Sequence, residues 1–168
     1  MTQYSKREMV AAFEHLASQK PIDRIRVREI VEACGLNRNT FYYYFSDLYA
    51  LSEWVLVSVS EQSAARLRET GSLTEAFKVI ALWIDENRAL FRNLTEALGR
   101  ARTELALFSM TEPLILSTLG GAEADAVRKT KYLRYVLFGL FFDALQSGSC
   151  TDAMRELDGF LKLLNGSL

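Results

Sequence analysis

The sequence predicts an all-α protein. Apolar residues recur every three or four positions along nearly the whole chain, no sustained alternation of apolar and polar residues marks a strand, and only two prolines interrupt 168 residues. The expected architecture is a small three-helix domain at residues 1–47 followed by a helical bundle at 48–168, about nine helices in all. A hydrophobic content of 49% with 24% charge is ordinary for a globular chain of this length.

Helix one is expected from Ser5 to about Ser18, because Ser5 and Glu8 have the spacing of a capping box and Met9, Val10, Phe13, Leu16 and Ala17 form an apolar stripe. Lys20-Pro21 stops it. Residues 21–25 connect, with Ile22 or Ile25 tucked beneath the domain. Helix two follows over 27–34: Val27, Ile30, Val31 and Cys34 share one side, while Arg28, Glu29 and Glu32 lie opposite. Gly35 ends this helix, since glycine accepts the left-handed backbone of a sharp exit, and Leu36 plugs the gap to the next helix. Asn37 caps helix three, which runs to Phe45. Phe41 and Phe45, four residues apart, anchor that helix to the core and leave Arg38, Asn39, Tyr42 and Tyr43 outward. Such exposure is costly unless something covers it. A DNA major groove suits, because Arg and Asn pair with base edges while Thr and Tyr hydroxyls hold phosphates. Tyrosines packed on a neighbouring domain are the plainer alternative.

Helix four starts at Ser46 or Asp47 and continues through Trp54 and Val59 to about Leu67. The next starts at Ser72 or Thr74 and carries Phe77, Ile80, Ala81, Trp83 and Ile84. Two more are read over Arg88 to Leu98 and Thr103 to Leu119, with Gly99 between them and Gly120-Gly121 after the second. Glu123 to Gln146 is apolar on nearly every side in its later half, so it is expected to be buried all round. A monomer this small has difficulty hiding it, which places part of that surface against a second subunit. The last helix, from Thr151 or Asp152 to Leu164, bears Met154, Leu157, Leu161 and Leu164 on one stripe. Leu137, Phe141, Leu145, Leu157, Leu161 and Leu164 are therefore the expected interface of a homodimer. The alternative is that both helices simply complete the monomer core.

The net charge is −1, but residues up to Asp47 hold seven Lys or Arg against six acids. Lys20, Arg24, Arg26, Arg28 and Arg38 gather about the expected DNA face as a modest basic patch. The most apolar run, Tyr135 to Phe142, is too short to span a bilayer, and no signal peptide precedes Ser5, so no membrane partner is expected. Two lone cysteines, Cys34 and Cys150, fit a reduced cytoplasmic protein. Enzymatic chemistry and cofactors are not expected. The one histidine, His15, lies on helix one, and Glu-x-x-His pairs, cysteine clusters and glycine-rich phosphate loops are absent.

Residues from about Ser5 to Leu51 resemble the N-terminal domain of the tetracycline-repressor (TetR/AcrR) family of transcriptional regulators. The stretch Val27 to Phe45 ends in the family's T-[LF]-Y-x-[HY]-F box, here Thr40-Phe41-Tyr42-Tyr43-Tyr44-Phe45, with no insertion or deletion between Ile30, Gly35, Tyr42 and Phe45. The resemblance implies a dimer reading a palindromic double-stranded operator, with Arg28, Asn37, Arg38, Asn39, Thr40, Tyr42, Tyr43 and Tyr44 at the DNA. Arg28 is then placed at a base edge and Thr40, Tyr42 and Tyr44 at phosphates. Two positions depart from the family: Arg26 stands where a capping threonine or serine is usual, and Leu48 stands where many members carry a phosphate-binding lysine.

A weaker resemblance links Trp83 to Phe91 and Tyr132 to Gly148 with the branch that includes dihydroxyacetone-kinase-operon regulators, some of which activate alongside a partner protein. The expected function is a repressor released by a small-molecule effector held near Phe77, Trp83, Phe91, Phe108, Tyr132, Tyr135 and Phe138. Residues of this type at helical spacing equally suit a core. The alternative function is a regulator working mainly through a protein partner.

Overall fold

The computed structural model describes residues 3–119 and 123–156. They form α1 (Gln3–Gln19), α2 (Val27–Ala33), α3 (Arg38–Tyr44), α4 (Leu48–Thr70), α5 (Leu73–Glu86), α6 (Arg88–Leu98), α7 (Arg100–Phe108), α8 (Glu112–Leu119) and α9 (Glu123–Ser147). A 3-10 turn covers Ile22–Arg24, and residues 150–156 are helical and are labelled α10. No strand occurs among the described residues, and the all-α class holds. No helix among them is long and apolar enough to cross a membrane.

Contacts divide the chain into two compact units. The first takes residues 1–56 and 87–106, the second 57–86 and 107–168. The division runs through α4, and α6 groups with the N-terminal helices. The reason is local. Asn93 on α6 donates from Nδ2 to the carbonyls of Ala17, at 2.7 Å, and Lys20, at 3.3 Å, satisfying acceptors that the end of α1 leaves open.

The first unit is built on the apolar face of α1. Met9, Phe13 and Ala17 are fully buried, together with Ile22, Ile25, Ile30, Val31, Phe41 and Phe45 from the next elements and Leu90, Phe91 and Leu94 from α6. Each such large side chain contributes about 1.5–3 kcal/mol by leaving water. Both isoleucines of the connecting segment are buried. α1 begins by Gln3, so Ser5 lies within the helix rather than at its start. Lys6, one position on, lies 4.3 Å from the Trp54 ring centre and 5.4 Å from that of Phe45. The cation sits on the faces of the two rings, in the geometry the ring quadrupole favours.

In the second unit α5 buries Ala76, Phe77, Ile80, Ala81 and Ile84, and the Phe77 ring meets Phe108 edge-on at 6.0 Å. Small polar residues on α4 make close-range ties. Ser63 donates to the Ala76 carbonyl at 2.7 Å, and Ser60 accepts from the Met110 amide at 3.0 Å. Among the described residues, no buried side-chain nitrogen or oxygen is left without a partner.

One expectation is corrected here. The helix read over Thr103 to Leu119 is two helices, broken at residues 109–111. Pro113, second residue of α8, is the cause: it has no N–H to donate and its ring collides with the carbonyl four residues back, so a continuous helix cannot pass through it. The amide of Met110, freed by the break, is the one that Ser60 accepts. Within the single chain, α9 is not buried all round. Leu137, Phe138, Phe141, Ala144 and Leu145 are buried, but Val127, Tyr132, Tyr135 and Val136 are each about half exposed. Of the expected dimer residues, Leu137, Phe141 and Leu145 thus belong to the core of their own chain, whereas Leu157, Leu161 and Leu164, like Gly120-Gly121, lie outside the described residues.

Asp85, near the end of α5, caps α10. Its Oδ2 accepts from Ser149 Oγ at 2.6 Å, Thr151 Oγ1 at 2.7 Å and the Thr151 amide at 2.9 Å, and Oδ1 accepts from the Cys150 amide at 2.9 Å. Burial alone would raise this carboxyl, yet the hydrogen bonds from Ser149, Thr151 and Cys150 outweigh it and lower the pKa from 3.8 to about 2.

Candidate nucleic-acid interface

The α2–α3 turn is closed by a Schellman arrangement. Gly35 has φ of +64°, its amide reaches the Glu32 carbonyl at 3.3 Å, and the Leu36 amide reaches the Val31 carbonyl at 2.7 Å. A side chain at position 35 would have to enter the left-handed region, which only glycine enters freely. Two residues later Asn37 caps α3, its Oδ1 accepting from the Thr40 amide at 3.0 Å and the Thr40 hydroxyl at 3.2 Å. Short polar caps of this kind are worth about 1 kcal/mol.

The start of α2 lacks the usual hydroxyl cap. Arg26 carries no acceptor in its side chain, and Glu29 compensates by reaching back to the Arg26 amide with Oε2 at 2.8 Å. The other oxygen of Glu29 binds Lys20. The Lys20 hydrogen bond, followed by the Arg26 amide, holds the Glu29 carboxyl below the ordinary carboxylate range.

On α3, Phe41 and Phe45 are buried with ring centres 5.8 Å apart, and Phe45 packs edge-on against Trp54 at 6.3 Å. The helix is therefore fixed through one face. Its other side presents Arg38, Asn39, Tyr42 and Tyr43, all exposed, with Tyr43 71% open to solvent. Asn37 is exposed and engaged as the cap. Thr40 is buried with its hydroxyl turned to Asn37, and Tyr44 is half-buried with its ring edge-on to Tyr43 at 4.9 Å. A shallow cleft of about 300 Å³ beside Tyr42 is lined by Ile25, Arg26, Asp47 and Leu48. Asp47 caps α4, its Oδ1 accepting from the Ala50 amide at 2.8 Å.

Basic residues near this face differ in availability. Lys20 is tied to Glu29, and Arg28 to Glu32 at 2.6 Å, whose hydrogen bond and charge push the guanidinium further above its ordinary value. Arg24, Arg26 and Arg38 are exposed. The basic patch expected from the sequence is thus partly self-neutralised, which the i, i+4 spacing of Arg28 and Glu32 already signals. No sequence pattern announces Lys6 over the Phe45 and Trp54 rings, because that contact joins residues on separate helices.

The residues expected around an effector fall in both units and differ in exposure. Phe91 is fully buried in the first unit, Phe108 is fully buried in the second, Trp83 on α5 is half-buried, and Tyr132 and Tyr135 are exposed on α9. Phe77 and Phe138 are buried.

A short helix closed by a glycine turn, then a capped helix with one anchored aromatic face and one outward polar face, defines a helix-turn-helix DNA-binding domain. Residues 5–53 match the family described as bacterial regulatory proteins, tetR family. The match spans under a third of the chain. No curated protein matches it.

Proposed function

We propose that the chain is a homodimeric repressor that reads a palindromic operator through α3 and is released by a small-molecule effector. The observation that carries this is the exposed row Arg38, Asn39, Tyr42 and Tyr43 on a helix held rigidly through Phe41 and Phe45. Arg and Asn suit base edges, and the two tyrosine hydroxyls suit phosphates. Arg28 adds a base contact from α2. Asn37, Thr40 and Tyr44 act as cap, buried brace and flank of that row, with Asn37 nearest the groove.

The exposed apolar side of α9, with Val127, Tyr132, Tyr135 and Val136, supports dimerisation, and it replaces the buried Leu137, Phe141 and Leu145 as the proposed subunit face. Two heads spaced by a helical turn of DNA or a small multiple of it bind far better than one. The effector is placed in the second unit, near Trp83 and Phe108, and the protein is a cytoplasmic regulator with no catalytic activity. A second reading, action through a protein partner with weak DNA binding, draws on Leu48 in place of lysine and on the cations already paired to glutamates.

The test is a fluorescence-anisotropy titration against the chain's own upstream intergenic DNA and a scrambled control, at two salt concentrations. Sequence-preferring binding that weakens with salt supports the repressor reading. No preference on any fragment, with a dimer present by light scattering, favours the partnered one. Arg38→Ala and Tyr42→Phe are expected to weaken operator binding by about fivefold or more with unchanged urea unfolding. Unchanged affinity in both variants would remove α3's outer row as the docking face.

A further inference from the structure

Arg28 and Glu32 lie one turn apart on α2, joined by a contact of 2.6 Å from the guanidinium Nε to Glu32 Oε1. Both are open to solvent, at 68% and 59% of their side-chain surface. Among the described residues, no other hydrogen bond or ion pair engages Arg28. The pair differs from its neighbour Lys20–Glu29, where the carboxylate also closes the start of α2 through the Arg26 amide. Glu32 makes no comparable backbone bond, so helix capping does not explain it.

Two properties of a guanidinium separate here. Its charge, which would draw a phosphate and release counterions, is cancelled by the carboxylate beside it. Its planar geometry is retained. Because Glu32 takes the Nε edge, the two terminal nitrogens remain as an unoccupied fork, the shape that pairs with the O6 and N7 of guanine. A flexible arginine held at its Nε also loses less rotamer freedom when it docks. Arg28 is therefore poor as a phosphate anchor and well prepared as a base reader.

We propose that Glu32 is a positioning residue that holds the Arg28 side chain for bidentate reading of a guanine, so that sequence discrimination is gained while general DNA affinity is reduced. This rests on the DNA-binding reading above. Glu32 does not touch the base. It fixes the donor that does, and its own negative charge, close to the phosphates, lowers attraction to any sequence.

Selection from a randomised duplex library by the full-length protein tests this, using the unaltered chain, Arg28→Ala, Glu32→Ala and Glu32→Gln. The unaltered chain should select a palindrome with a guanine that Arg28→Ala no longer prefers. Glu32→Ala should relax the same position, with matched-to-mismatched discrimination falling roughly threefold to tenfold, within the range that one bidentate pair supplies. Glu32→Gln, which keeps an acceptor oxygen at the same reach, should restore most of that loss. Both Glu32 variants should bind scrambled DNA more tightly, with a salt dependence steeper by about one charge. A structural role alone would not produce a position-specific loss rescued by glutamine.

The inference is overturned if Glu32→Ala keeps full discrimination at the Arg28 position, if it relaxes all positions evenly, or if the alanine and glutamine variants behave alike. Selection of no consensus by the unaltered chain would overturn the DNA-reading function and this inference with it. Failure of the Glu32 variants alone, with Arg28→Ala relaxing one position, leaves that function standing.

Discussion

Replacing Asp85 by asparagine tests how α10 is held. The two carboxylate oxygens accept from Ser149, Cys150 and Thr151, and the amides of Cys150 and Thr151 are fixed in direction and served by different oxygens. Whichever way an asparagine amide is turned, its NH2 group faces one of those N–H groups and leaves it without an acceptor. That costs about 1–3 kcal/mol for a buried donor. The lost charge overlaps this figure, because the same hydrogen bonds hold the carboxyl ionised. A carboxyl lowered from 3.8 to about 2 corresponds to about 2.5 kcal/mol at most, which partial solvent access reduces to roughly 1.5–2. Asp85→Asn is thus expected to lose about 2–3 kcal/mol at neutral pH. Because the folded value lies below the unfolded one, the charge contribution is complete above the ordinary carboxylate range and fades as pH falls from about 4 toward 2. Urea unfolding followed by circular dichroism, at fixed protein concentration and at pH 7, 4 and 2.5, measures both parts. The gap between the two proteins should narrow at the lowest pH. A gap that stays flat across this range, or one under 0.5 kcal/mol at pH 7, would refute the assignment of Asp85 as an ionised cap.

Gly35→Ala is expected to cost about 1–2 kcal/mol, because it forces a Cβ into a backbone held at φ of +64°. Gly35→Asn should cost less, and equal losses in the two variants by urea unfolding would argue against backbone strain as the cause. Leu48→Lys restores a cation in the cleft beside Tyr42 and is expected to tighten operator binding and steepen its salt dependence by about one charge. An unchanged slope in a salt titration would remove position 48 from the phosphate contacts.

The N-terminal domain was largely legible because its determinants are local. The Gly35 turn, the Asn37 cap and the Phe41–Phe45 face each depend on residues within one or two helical turns, which periodicity and capping rules describe directly. The break before α8 is equally local, since Pro113 by itself forbids a helix continuous from Thr103 to Leu119. Other features were not legible in principle. Asp85 caps a helix some 65 residues away, as the Cys150 contact has it, and nothing in either segment names the other. The exposure of Tyr132 and Tyr135 follows from which side of α9 its neighbours cover, and an all-round apolar helix gives no sign of that side. The Arg28–Glu32 pairing at 2.6 Å is the local exception, since i, i+4 spacing on a helix already signals it.

The two thiols offer an internal clock with its own reference. Cys34 ends α2, donates its S–H to the Ile30 carbonyl at 3.0 Å, and is pushed above the ordinary thiol range by burial, while Cys150 begins α10 with no surface open to solvent. Alkylation requires a reachable thiolate, so the buried Cys150 is protected while its segment stays closed, and the half-buried Cys34 is slowed by its raised pKa. With the two cysteines in different compact units, the modification rate of Cys150 reads the opening of its surroundings against the more accessible Cys34, and mass spectrometry after a timed alkylating pulse resolves the two without any introduced label.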